Sequence, residues 1–274
     1  MYRDDRDERK DTVTQETCTI TENEVTSATQ NLVQNKAVGE GNIPAEFLQN
    51  IGENGIQVIT KLMNNIYRTG NIPADFTENI FIPIPKVQEA QDCSDFRTIS
   101  LISHASKILP KLIKDRITPI IERYLADTHM GFRKGKGTRD AIFQLRTLTQ
   151  RAMKVNKKVY ACYVDYKKAF DRVKHDKLIE VMNRAGIPEL EQRLIIGLYW
   201  NQYATIKTAD GKSRRICIRR GVHQGCIISS ILFNLYSEYM LKDALEEKAV
   251  NGQNVNNLRY ADDAVFLSDK KTQL

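Results

Sequence analysis

The spacing of apolar positions changes several times along the chain, and each change marks an element. Thr21-Ile-Thr-Glu24 has the form of a capping box, in which the threonine hydroxyl and the glutamate carboxylate each accept the other's backbone amide at a helix start. Val25, Ala28, Leu32 and Val33 follow at helical spacing and predict a helix of about three turns. NKAVGEGNIPAEF ends it with glycines and restarts a helix after Pro44. Residues 45–68 read as helical, with a break around Gly52 to Gly55. ENIFIPIPK alternates Ile and Phe but carries two prolines, which predicts an edge strand. SHASKILPKLIKDRITPIIERYLA is largely helical, with Pro110 and Pro119 expected to mark a kink and a junction. GFRKGKGTRD reads as a glycine-rich basic loop leading into a helix over 138–154.

In the second half VYACYVDY predicts a buried strand that ends on Asp165. Helices are expected from His175 to Arg184, from Pro188 to about Tyr199, and from Ser229 to about Lys248. TIKTADGKSRRICI predicts a hairpin with Asp210-Gly211 at its turn. LRYADDAVFL is apolar on both sides of an acidic centre and predicts a second hairpin with Asp262 and Asp263 at its tip. The mixture of helices and hairpins places the chain in the α+β class.

Composition narrows this picture. With 274 residues, 41% hydrophobic and 27% charged, the chain can bury an ordinary globular core. Its longest apolar stretches, such as Leu194 to Trp200, fall far short of the roughly 20 residues that cross a bilayer, so no membrane span is expected. Residues 1–20 are polar, lack the apolar centre of a signal peptide and read as a disordered leader, which points to an intracellular protein. The five cysteines form no close pair and are expected to be reduced and mostly buried; the four histidines are scattered, and zinc is not indicated.

A net charge of +7 conceals an asymmetry. Residues 1–85 carry 7 basic and 13 acidic side chains, residues 86–158 carry 16 and 7, and residues 159–274 carry 18 and 14. The middle segment is the one suited to neutralising phosphates, although a merely soluble basic surface has the same balance.

Chemistry concentrates on the aspartates. Two adjacent carboxylates at a tight turn repel each other and, if buried, lose hydration, and a divalent cation relieves both. With Asp165 at another strand end, Asp262 and Asp263 would supply the oxygen ligands for two magnesium ions about 3.5–4 Å apart, the arrangement of in-line phosphoryl displacement. Taken alone, YADD reads more readily as an exposed turn with a solvated acidic pair. Its company matters: YVDYKKAFD, GVHQGCIISSILFN and LRYADDAVFL occur in that order on one chain.

In these motifs the chain resembles the reverse transcriptases, most closely those of non-LTR retrotransposons. YVDYKKAFDRV, GVHQGCIISSILFNLYSE and RYADDAVFL are similar to the family's three palm motifs. FIPIPK, CSDFRTISLIS and GFRKGKGTRDAI are similar to its fingers motifs, and NKAVGEGNIPAEFL to the extension before them. The resemblance implies a right-hand polymerase fold, with a helical N-terminal extension over 21–80, basic fingers over 81–158 and a partial palm over 159–274 built on a small antiparallel sheet with flanking helices. After LRYADDAVFL only SDKKTQL remains, so the thumb is expected to be absent from this chain, as is an endonuclease before the fingers.

The resemblance also implies an activity and a site. The activity is RNA-directed DNA synthesis with Mg2+ (two ions, Mn2+ as a substitute), an RNA template, a DNA primer and deoxynucleoside triphosphates, with no membrane, in the nucleus or cytoplasm. Asp165, Asp262 and Asp263 are implied as catalytic metal ligands. Phe170 resembles the aromatic gate against a 2′-hydroxyl, although a core phenylalanine looks the same. Gln224 and Gly225 resemble the loop beside the incoming nucleotide, and Lys86 and Arg97 the cations on its triphosphate. Arg133, Lys134, Lys136 and Arg139 are implied along the template path, where a solvated loop is the plain alternative. The pattern departs from the family at Gly41, Thr98 and the stretch Thr128-His129-Met130. A catalytically inactive RNA-binding remnant is the alternative reading for the chain as a whole.

Overall fold

The computed structural model describes residues 19–39, 41–200, 202–208, 211–222, 225–242 and 257–270. The capping box forms as the sequence predicts: Thr21 Oγ1 accepts from the Glu24 amide at 3.3 Å and Glu24 Oε2 accepts from the Thr21 amide at 2.8 Å. Helix α1 (Glu22–Gln30) ends at Asn31, so Leu32 and Val33 lie past it and Val33 is exposed. Helix α2 (Ala45–Gln49) and helix α3 (Gly52–Thr69) are separated at Asn50–Ile51. The break therefore precedes the glycines that were expected to make it, because Gly52 already opens α3.

Strand β1 (Glu78–Pro85) pairs antiparallel with β2 (Phe96–Leu101) and, over Glu78–Phe81, parallel with β4 (Tyr203–Thr208). It is an interior strand, contrary to the edge position its prolines suggest. Pro83 and Pro85 lie beyond the last residue that β4 reaches, where their missing amides cost that pairing nothing. Helix α4 (Ile108–Tyr124) is continuous: Pro110 sits in its first turn, where no amide is needed, and Pro119 lies inside it rather than at a junction.

The remaining elements are α5 (Thr138–Lys154), β3 (Tyr160–Asp165), α6 (His175–Arg184), α7 (Glu189–Trp200), β5 (Gly211–Lys212), β6 (Ile216–Cys217), α8 (Ser229–Lys242), β7 (Asn257–Tyr260) and β8 (Asp263–Ser268). Asp210, and the expected continuation of α8 to Lys248, lie outside the described residues, as does nearly all of the expected leader. β5 and β6 both pair with β4, completing the first sheet, and the second sheet runs β3-β8-β7, all antiparallel.

One core gathers Val25, Met63, Ile113, Leu178, Leu198 and Leu232 from α1, α3, α4, α6, α7 and α8. Each such leucine, fully removed from water, contributes about 1.5–3 kcal/mol. Helix α5 lies apart and packs Leu145 and Leu148 against Leu258, Val265 and Leu267 of the second sheet. Strand β3 alternates between half-buried and exposed residues and leaves Tyr163 73% exposed, so it is an edge strand with one open face and not the buried strand its apolar run suggests. Of the four described cysteines, Cys93 and Cys217 are exposed rather than buried, and all four are free thiols. Among the described residues no helix is long and apolar enough to cross a membrane.

Candidate active site

Strands β7 and β8 join through a two-residue turn, Ala261-Asp262, with Ala261 in the left-handed region at φ 56°. Asp263 is the first residue of β8, one step beyond the tip where the sequence places it. Cross-strand register does the rest: Tyr260 faces Asp263, and Asp165, the last residue of β3, faces Asp263 from the other side. Three carboxylates from distant parts of the chain thus share one end of one sheet. Asp165 and Asp263 are exposed and Asp262 is half-buried. Little desolvation is therefore expected at Asp165 and Asp263, and more at Asp262.

All these donors are carboxylate oxygens, which suits a hard cation such as Mg2+ or Mn2+. Among the described residues no group of three or more His, Cys, Asp or Glu side chains converges where it could hold an ion. The aspartates fit such an ion in kind and in their common placement, and they would have to turn toward one another to bind it.

Beside Asp262 opens a cavity of about 480 Å³ lined by Lys86, Thr98, Lys168, Phe170 and Arg220 among others. Lys86 follows β1 directly, and its amide donates to the Asp95 carbonyl at 2.7 Å, which closes the loop between β1 and β2. Phe170 is half-buried: its ring stacks on Phe233 at 4.6 Å and meets Phe132 edge-on at 6.2 Å. It is thus both a cavity wall and a packed side chain.

The loop after β3 is clamped to the segment before α8. The Gly221 amide donates to the Val173 carbonyl at 2.8 Å, and the Val222 amide to the Phe170 carbonyl at 2.9 Å. Gly221 has φ 95°, and a methyl there would come within 3.0 Å of Asp171 backbone, so only glycine permits this approach. Arg220 escaped sequence reasoning, which stopped at Gln224-Gly225; the run SRRICIRRGV immediately before that loop is the signal that marks it. Gln224 and the side chain of Arg97 lie outside the described residues, and Gly225 has its nearest neighbour, the Ser100 carbonyl oxygen, 3.9 Å from where a side chain would begin.

The glycine-rich basic loop divides in two. Arg133 spends its donors within the protein, on Glu122 at 2.8 Å and on the Ala126 and His129 carbonyls at 2.7 and 3.0 Å. Lys136 donates to the Asp127 carbonyl at 3.0 Å, whereas Lys134 and Arg139 are exposed. Gly131 lies directly under the acidic turn, and a methyl group there would fall 2.2 Å from the Ala261 backbone nitrogen.

Known proteins similar to this chain point to its family and fold. The family profile described as "Reverse transcriptase (RNA-dependent DNA polymerase)" matches residues 84–274. The Pol polyprotein of the type-1 retrotransposable element R2 from Popillia japonica is 29% identical over 196 residues, covering 70% of this chain and 27% of that protein. The RNA-directed DNA polymerase of the mobile element jockey from Drosophila funebris is 26% identical over 256 residues, covering 91% and 27%. The chain thus spans about a quarter of the length of these relatives. Among solved structures, telomerase from Candida Tropicalis shares the fold with a TM-score of 0.54 at 14% identity, covering 79% of this chain and 40% of that one.

Proposed function

This chain belongs to the reverse transcriptase family, and from that premise we propose that it carries out RNA-templated DNA synthesis through the carboxylates Asp165, Asp262 and Asp263. The observation that supports the reading most directly is the strand register that sets Asp165 opposite Asp263, next in sequence to Asp262, which lines the cavity. These three would hold Mg2+ or Mn2+, which when bound favours ionisation of a primer 3′-hydroxyl and offsets charge on the leaving pyrophosphate.

The protein's own groups supply the remainder. Lys86, Lys168 and Arg220, all on the cavity wall, bind the triphosphate of a deoxynucleotide, and Arg97, which β2 sets opposite Ile84, joins them. Phe170, held by Phe233, stands against the sugar and excludes a 2′-hydroxyl. Gln224 and Gly225 lie beside the base, and Lys134 and Arg139 take the template phosphates, with Arg133 and Lys136 shaping the loop that presents them. In this reading residues 21–80 are the helical extension, 81–158 the fingers and 159–274 the palm.

Primer extension on an RNA template with Mg2+ and deoxynucleotides tests the reading. The chain should extend the primer, and Asp262→Asn/Asp263→Asn, matched for fold, should abolish extension. Binding of RNA without extension by either protein would instead identify a non-catalytic remnant.

A further inference from the structure

Under the Ala261-Asp262 turn lies a buried polar cluster to which the chemistry above assigns no part. Arg259 is 3% exposed, and its Nη2 donates to Glu238 Oε2 of α8 at 2.8 Å, with Glu238 itself 4% exposed. The imidazole of His129, fully buried, sets Nδ1 3.7 Å from the same carboxylate oxygen. Its Nε2 donates to Asn234 Oδ1 at 3.0 Å, and Asn234 Nδ2 donates to the Gly131 carbonyl at 2.7 Å. Main-chain bonds close the cluster: the Arg259 amide donates to the Thr128 carbonyl at 3.0 Å, and the Met130 amide to the Arg259 carbonyl at 2.8 Å. Residues 128–131 are therefore tied to β7 through backbone and to α8 through side chains, and Gly131 then abuts Ala261.

A buried ion pair is a poor choice for stability alone, since apolar side chains of the same volume do as well or better. Its advantage is direction. Charged hydrogen bonds fix distance and orientation where apolar packing tolerates sliding. Among the described residues Arg259 Nε and Nη1 have no hydrogen-bond partner, so the tie to Glu238 carries the compensation of that guanidinium. Burial pushes His129 below its usual range, leaving the pair Arg259–Glu238 as the ionic part at neutral pH and His129 as a neutral donor.

We infer that Glu238, Arg259, His129 and Asn234 are positioning residues: they hold the Ala261-Asp262-Asp263 turn in register with Asp165, an inference that rests on reading these aspartates as the metal centre. Replacing the pair by a flexible apolar one, Glu238→Met/Arg259→Met, removes direction while leaving the site filled. The experiment measures thermal melting, Mn2+ binding by electron paramagnetic resonance, amide exchange over residues 257–264, and primer extension on an RNA template.

The expected result is an unchanged melting temperature, faster exchange at the turn, Mn2+ affinity weakened about tenfold, and a kcat loss of about 10²-fold with KM for deoxynucleotide nearly unchanged. Melting, Mn2+ binding and exchange all equal to wild type would overturn the inference. If the double variant fails to fold, Glu238→Asp keeps the charge but withdraws the carboxylate by one methylene, and it should show smaller losses of the same kind, about threefold in Mn2+ affinity and about tenfold in kcat. Full Mn2+ affinity and kcat in folded Glu238→Asp would again overturn it. Should wild-type protein bind Mn2+ yet never extend a primer, the proposed reaction fails while the Mn2+ and exchange arms still decide the role of the cluster.

Discussion

At position 131 a single methyl group decides whether the acidic turn can take its place, because the atoms it would strike belong to the backbone of Tyr260 and Ala261 and no side chain can swing away. Gly131→Ala should destabilise the fold by about 1–3 kcal/mol, the range for overpacking a filled site, as measured by urea unfolding. The same change should depress primer extension far more than it depresses RNA binding. Phe170 offers a second test at this scale. Phe170→Val opens the cavity wall while Phe233 and Phe132 keep the surrounding shape, so ribonucleotide incorporation relative to deoxynucleotide should rise by about 10–10²-fold in single-nucleotide extension assays. An unchanged ratio would leave Phe170 as packing only.

Among the elements, α1 depends on its cap, and Thr21→Ala removes the hydroxyl that accepts from the Glu24 amide while leaving the Thr21 amide to donate to Glu24 Oε2. A loss of about 1 kcal/mol is expected in equilibrium unfolding, with extension activity preserved at low temperature. Helices α6 and α8 bring a pH response. His175, whose Nε2 contacts the Gly221 carbonyl at 2.9 Å, and His129 both lie below the usual imidazole range, chiefly because burial disfavours their charged forms. The unfolded chain accepts these protons near pH 6.5, whereas the folded chain resists them. Stability should therefore be full above pH 6.5 and decline as pH falls toward the lowered folded-state values. Each histidine accounts for at most about 1.4 kcal/mol per pH unit. Glu238 adds a second, more acidic loss: burial alone would raise its pKa, but the His129 contact and the Arg259 charge outweigh that and hold it below 4.5. Unfolding curves at pH 7.5 and 5.5 check the first stage, and His175→Gln should flatten it.

For the molecule as a whole the basic stretch over 86–158 is decisive, since it carries 16 basic against 7 acidic side chains and sits on the same chain as the cavity. Binding of a single-stranded RNA should weaken steeply with salt, with a log–log slope of about −0.7 for each phosphate neutralised. Lys134→Ala/Arg139→Ala should reduce that slope by about 1–2 while leaving Mn2+ binding intact. A slope unchanged by the double variant would assign the contacts to other cations of the stretch.

Local signals were legible where a residue's immediate neighbours settle its state. The capping box at Thr21, the helices over 138–154 and 175–184, and the acidic hairpin were readable because capping, helical period and turn chemistry act within a few residues. The motif order was readable too, and with it the family. What distance along the chain conceals was decided by tertiary structure. β1 became an interior strand because β4, more than a hundred residues later, reaches only its proline-free half, and β3 an open edge strand because its apolar run has cover on one side only. Arg220 joined the cavity, although its basic run marks it only as cationic and not which cavity it lines, and Arg133 turned inward to Glu122 through packing between segments. The sequence by itself determined the family and which carboxylates are candidates for its chemistry. Only the fold decided that Asp165 faces Asp263, and that Gly131, Glu238 and Arg259 support the turn between them, because register and burial arise from contacts between segments that have no local trace of one another.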